Sequence, residues 1–148
     1  MTRAGTQYFS GGTGMEFIEW NDGMSVGVEK FNAEHKQLIQ FVNRLNQALK
    51  AGGARKELEN ILTGLVKYTA IHFNHEEEYM KIHDYPDYAA HKKEHDNLTA
   101  QVTDFFERFK SGSASFSLEL LVFLKDWLVN HIMGTDMKYR EFFKQRGA

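Results

Sequence analysis

HFNHEEEYM, residues 72–80, puts two histidines and three glutamates into nine positions, and which of them face inward decides how the chain folds around them. A helix turns about 100° per residue. Just upstream, Leu58, Ile61, Leu62 and Leu65 recur at spacings of three and four and mark one apolar stripe. With Leu65 as the reference direction, His72 falls about 20° to one side and Glu76 about 20° to the other. Both are therefore expected in the core. His75 falls about 80° away, at the stripe edge. His75, Glu77 and Glu78 read as boundary or surface.

The same period continues outward in both directions. Residues 31–49 place Phe31, Leu38, Val42, Leu45 and Leu49 on one face, and Gly52-Gly53 closes that segment. Residues 55–83 form the segment already described, and Tyr85-Pro86-Asp87 breaks it. Residues 87–109 carry Leu98, Val102, Phe105 and Phe109, followed by the loop SGSAS. Residues 117–133 carry Leu120, Leu121, Leu124, Trp127 and Leu128, and Gly134 interrupts them before a short helix over 136–145. Four helices of similar length with short connections pack best as an up-down-up-down bundle. Residues 1–14 are rich in Gly, Ser and Thr and read as a flexible tail. Residues 15–30 read as an ordered arm, so the domain is expected to span 15–148. The fold class is all-α: a four-helix bundle with an N-terminal arm and a short C-terminal helix.

Composition narrows the function. The 148 residues, 42% hydrophobic and 26% charged, suit one globular domain with a sizeable core. The formal charge is −2 with no run of Lys or Arg, which gives no support to nucleic-acid or membrane-surface binding. There is no cysteine, so disulfides and thiolate metal sites are excluded. No apolar stretch is long enough to span a bilayer, and the N-terminal residues lack a secretory pattern. A cytoplasmic protein is expected.

The polar exceptions to the stripes are mostly histidines. His35 continues the series Phe31, Leu38, Val42. His91 and His95 continue the third stripe, and His131 follows Trp127 on the fourth. With His72, five of the seven histidines fall on inward faces, at least one per helix. A single inward histidine is ordinarily a core residue with its own hydrogen-bond partner. Five plus Glu76 are harder to bury separately, since an unpaired buried polar group costs roughly 1–3 kcal/mol. A whole domain has only about 5–15 kcal/mol of stability. A metal centre supplies one common partner. Imidazole and carboxylate donors without sulfur suit iron, manganese or zinc. One tetrahedral zinc needs about four ligands, and this set is larger, so two metals sharing a carboxylate are expected. Glu76 is one such carboxylate. Asp136 is the candidate for a second, provided the helix loosens at Gly134 and turns Asp136 back to the core. The Glu-x-x-His motif of carboxylate-rich di-iron proteins occurs nowhere in the chain. Few carboxylates and many neutral imidazoles favour milder, reversible chemistry.

With these residues in view, the sequence resembles the hemerythrin family, and its single-domain bacterial members in particular. The family pattern matches His35 in AEHKQLI, His72 and Glu76 in HFNHEE, His91 and His95 in HKKEH, and His131 and Asp136 in HIMGTD. The match runs from Trp20 to Phe143 and fills all seven ligand positions in order. Asn32 stands where the family often has Asp. The resemblance implies two iron ions joined by an oxo or hydroxo bridge, with O2 as the ligand. By position, His91, His95 and His131 would hold one iron and His35 and His72 the other. Glu76 and Asp136 would bridge them, and the iron with fewer ligands would keep a position open. Each ligand histidine should give its other ring N–H to an acceptor. Glu34 and Glu94 are next to ligands but point away from them on a helix. Backbone carbonyls or groups on facing helices are expected instead. Ile39, one turn after His35, and Trp127, one turn before His131, are candidates to line the O2 pocket. His75 and His83 read as structural or surface residues.

Storage, delivery or sensing of O2 is the leading expectation, with no catalytic residue assigned. The alternative is a di-iron redox enzyme such as a peroxidase or nitric-oxide reductase. It would need an acid within reach of the pocket, and the sequence offers no obvious one beyond the ligands.

Overall fold

Each apolar stripe lies on a helix. The computed structural model describes residues 16–147, and the tail expected at 1–14 lies outside them. Helix α1 spans Glu29–Lys50, α2 Arg55–Ile82, α3 Tyr88–Ser111 and α4 Leu118–Asn130. All regular structure among the described residues is helical. Helix α1 packs against α2 and α4, and α2 packs against α3. Among the described residues no helix is long and apolar enough to cross a membrane.

The ends follow from local chemistry. After α1, Gly52 and Gly53 take φ of 122° and 67°, a region closed to most side chains. Helix α3 ends on Gly112 at φ 86°, in a left-handed cap. Ser117 caps the start of helix α4, its hydroxyl accepting the Leu120 N–H. The Arg55 guanidinium at the start of α2 donates to the Phe109 carbonyl at the end of α3, which fixes their antiparallel register.

The arm before α1 is held by two asparagines of that helix. Asn43 accepts the Ile18 N–H at 2.8 Å and donates to the Ile18 carbonyl at 2.9 Å. Asn32 accepts the Val26 N–H at 2.9 Å and donates to the Ser25 hydroxyl at 2.9 Å. An aspartate at position 32 could make the first contact but could not donate the second.

The largest departure from the expected layout is at the fourth helix. The helix does not run on to 133. At His131 the ladder widens into a π-helical segment, His131–Thr135, in which the Asp136 N–H bonds to the His131 carbonyl. A 3₁₀ turn, Asp136–Tyr139, and helix α5, Arg140–Gln145, follow. Gly134 is not the cause, because its φ is not among the positive ones and no atom would crowd a Cβ there. One extra residue per turn brings Asp136 onto the face of His131 without a break in the chain.

The core is in two parts. A large cluster includes Leu38, Leu45, Leu65, Phe73, Phe105, Leu124 and Trp127. A smaller one gathers Val26, Phe31, Met80, Tyr85, Tyr139 and Phe143. Along α1, His35 falls between Phe31 of the small cluster and Leu38 of the large one. Along α2, His72 and Glu76 fall between Leu65 and Met80. The polar residues thus form a layer across the bundle, sealed on both sides by apolar side chains.

Candidate metal centre

Seven buried polar side chains meet in that layer: His35, His72, Glu76, His91, His95, His131 and Asp136. One donor atom each from Glu76, His91, His95, His131 and Asp136 lies within 4.8 Å of the others. The same holds for His35, His72, Glu76 and Asp136. The two groups share both carboxylates and no histidine.

Each carboxylate divides its oxygens between the groups. Glu76 Oε2 is 3.3 Å from Nε2 of both His35 and His72, while Oε1 is 3.1 Å from His95 Nε2. Asp136 Oδ2 is 3.0 Å from His35 Nε2, while Oδ1 is 2.9 Å from His91 Nε2 and 3.1 Å from His131 Nε2. Yet none of the five Nε2 atoms makes a hydrogen bond, nor does Glu76 Oε1 or either Asp136 oxygen. The atoms are close, but the angles are wrong for hydrogen bonds. Lone pairs that converge on points between the atoms are what a cation needs. With metal–ligand bonds of about 2.1 Å, neighbouring ligands around an octahedral ion stand about 3.0 Å apart, which the observed separations match. Leaving so many buried polar atoms without partners would cost roughly 1–3 kcal/mol each. The residues present fit a pair of metals.

Electrostatics point the same way. Burial pulls the His72 imidazolium down, but Glu76, Glu34 and Asp136 outweigh it and push its pKa up to about 10. His91, against the same opposition from burial, is carried by Asp136 and Glu76 up to about 9. Burial and Glu76 both raise Asp136, yet the surrounding histidines hold it well below the carboxylate range. Glu76 is likewise held down, by His72 above all, against its burial. Two carboxylates in a dry interior need positive charge beside them, and protons supply it unless a metal does.

The rings are oriented from outside. The His72 Nδ1–H donates to Glu34 at 2.6 Å, and the His95 Nδ1–H to Glu77 at 2.8 Å. Glu94 accepts the Thr135 hydroxyl at 2.5 Å and lies 3.7 Å from His131 Nδ1. Glu34 and Glu94 do point away from the ligands beside them in sequence, and each faces a ligand of the next helix instead. The role of Glu77 was not anticipated from its place in HEEE. Phe73 stacks on His95 at 3.8 Å with the planes 3° apart. Tyr139, three residues after Asp136, donates its hydroxyl to Glu76 Oε2 at 2.6 Å. The sequence reading missed this bond, and the only signal was an aromatic one turn past the candidate carboxylate.

His75 and His83 contribute no atom to either donor group. His75 donates to Glu34, and His83 packs its ring 4.5 Å from Tyr79. Ile39 is buried in the large core cluster. Trp127 is buried too and lines a depression of about 300 Å³ with Leu98, Phe123, Glu94 and His131.

Comparison with known proteins agrees with this geometry. Residues 26–142 match the family model described as "Hemerythrin HHE cation binding domain". A bacteriohemerythrin of Stenotrophomonas maltophilia is 33% identical over 130 residues, 88% of this chain and 84% of that protein. A myohemerythrin of Theromyzon tessulatum is 37% identical over 125 residues, 84% of this chain and 92% of its own. A crystal structure of wild-type hemerythrin matches with a TM-score of 0.79 at 35% identity, covering 84% of this chain and 96% of that one.

Proposed function

Because this chain belongs to the hemerythrin family, we propose that it binds O2 reversibly at two irons held by the seven buried side chains. His91, His95 and His131 would hold one iron and His35 and His72 the other, with Glu76 and Asp136 serving both. The observation that supports this most is the division of each carboxylate's oxygens between two groups of imidazoles. Three imidazoles on one side and two on the other leave the second side a ligand short. Two irons held there would supply the electrons for reversible O2 binding.

The chain's own residues set the conditions. Glu34 and Glu77 fix which nitrogen of His72 and His95 carries the proton, so Nε2 faces inward as a donor. The buried Tyr139 hydroxyl holds Glu76 in place; burial and the carboxylates near it raise its pKa, which keeps it a donor. Phe31, Phe73 and Leu38 keep water away. Ile39 and Trp127 are read as bordering the O2 pocket. We read the protein as a carrier, not an enzyme. A peroxidase or nitric-oxide reductase needs a proton donor aimed at the open position, and Tyr139 is committed to Glu76.

The test is an anaerobic-to-aerobic absorbance series on protein loaded with Fe(II). Two irons per chain are expected, with a visible band that appears in air and vanishes on deoxygenation through repeated cycles. One-way bleaching, or turnover of peroxide or nitric oxide without a reversible band, would contradict it.

A further inference from the structure

The carboxylates around the centre pass from helix to helix. Glu34 precedes His35 on α1 but bonds His72 on α2. Glu77 follows Glu76 on α2 but bonds His95 on α3. Glu34 has a second partner. Its Oε1 accepts the His72 Nδ1–H at 2.6 Å, and its Oε2 accepts the His75 Nδ1–H at 2.6 Å. The side chains of His72, Glu34 and His75 are 0%, 10% and 36% exposed. A hydrogen-bonded chain thus runs from the solvent edge of α2, across to α1, and back to a buried imidazole. His75 sits three residues after His72, at the edge of the stripe.

We propose that His75 is a positioning residue for the metal held through His72, acting by sharing the negative charge of Glu34. This rests on the reading of His72 as an iron ligand. A carboxylate that accepts the outer N–H of a ligand imidazole makes the ring a stronger electron donor to its metal. A second donor on that carboxylate stabilises its charge and weakens its pull on the first proton. With His75 in place, Glu34 still fixes the ring of His72 but drives it less far toward imidazolate. The side of the centre with fewer imidazoles has this moderating contact, and His75 governs how far its iron favours the ferric state.

The two halves of the dyad have opposite signs. Removing His75 leaves Glu34 more basic, so His72 donates more strongly and the ferric form gains. Replacing Glu34 by Gln removes the charge, so the ferrous form gains. His75→Asn places an N–H at the same number of bonds from Cα as Nδ1 and should restore the contact.

The experiment is spectroelectrochemistry on iron-loaded protein. His75→Leu and His75→Ala are each expected to bind two irons and to lower the midpoint potential. A tenfold change in the ferrous–ferric ratio is the expected scale, about 59 mV for one electron. Glu34→Gln should raise the potential and speed iron release to a chelator about tenfold, and His75→Asn should fall near wild type. In the zinc-loaded protein, which has no redox change, the His72 Nδ1 proton resonance should move in opposite senses in His75→Ala and Glu34→Gln. Two irons with an unmoved potential in the His75 variants would overturn the proposal. So would shifts of the same sign for His75→Ala and Glu34→Gln, which is what simple loosening of the site produces. A wild-type chain that takes up no iron fails the ligand assignment itself, a different and separately visible result.

Discussion

The hydroxyl of Tyr139 shows how much of the site depends on single contacts. It is fully buried and donates at 2.6 Å to a carboxylate shared by both donor groups. A hydrogen bond to a charged group contributes about 1.5–3 kcal/mol. Tyr139→Phe is therefore expected to lower metal-free stability by about that amount in urea denaturation, while two irons still bind. Unchanged stability would show that Glu76 has another anchor. Loss of the shared carboxylate itself should be worse. Glu76→Ala removes a donor from both groups, and metal analysis should find fewer than two irons per chain. At this scale Asp136 was picked out only as a carboxylate five residues past His131, whereas the other six candidate ligands were readable from the sequence because each interrupts an apolar stripe whose period is fixed by the helix. Their outer partners were not. Glu34, Glu77 and Tyr139 act across helix–helix interfaces, and the relative height and rotation of two helices is not written into the period of either.

The π-helical segment His131–Thr135 is the element on which the site turns. Sequence spacing showed that Asp136 could not share a face with His131 on a regular helix, and placed the cause at Gly134. The structure puts it in the hydrogen-bond ladder. Alpha-helical periodicity has no mark for one widened turn, so the four long helices were legible to within a few residues while this one was not. The two accounts differ in a measurable way. Gly134 has no positive φ and open space where a Cβ would stand. Gly134→Ala is thus expected to bind iron normally and to gain about 0.4–1 kcal/mol of stability. Loss of iron would return the role to glycine flexibility. Gly112 gives the opposite case. Its left-handed cap at φ 86° makes Gly112→Ala destabilising by about 1 kcal/mol, measurable as a lower thermal midpoint, with the metal centre intact.

For the whole molecule, the centre joins α1, α2, α3 and the segment after α4 in one polar layer, so metal binding and bundle stability are linked. A ligand at a thousand times its dissociation constant adds about 4 kcal/mol, and removing iron with a chelator is expected to lower the unfolding temperature markedly. The metal-free chain should also respond to pH in a way the loaded one does not. The pKa values of His72 and His91 are raised from 6.5 to about 10 and about 9. Their stabilising charge is fully present below about pH 6.5 and lost as pH rises through 9 and 10. Glu76 and Asp136 are depressed, so their contribution is present above about pH 4.5 and lost as pH falls. Metal-free protein should therefore be most stable in mildly acidic solution and weaken toward pH 10, whereas iron, by holding the imidazoles neutral, should abolish the alkaline loss. Thermal melts of both forms across that range would show it. The most direct measurement is anomalous diffraction at the iron edge from crystals of the loaded protein. Two peaks are expected, both between Glu76 and Asp136, one beside His91, His95 and His131 and the other beside His35 and His72. A single peak, or iron bound outside that layer, would contradict the account.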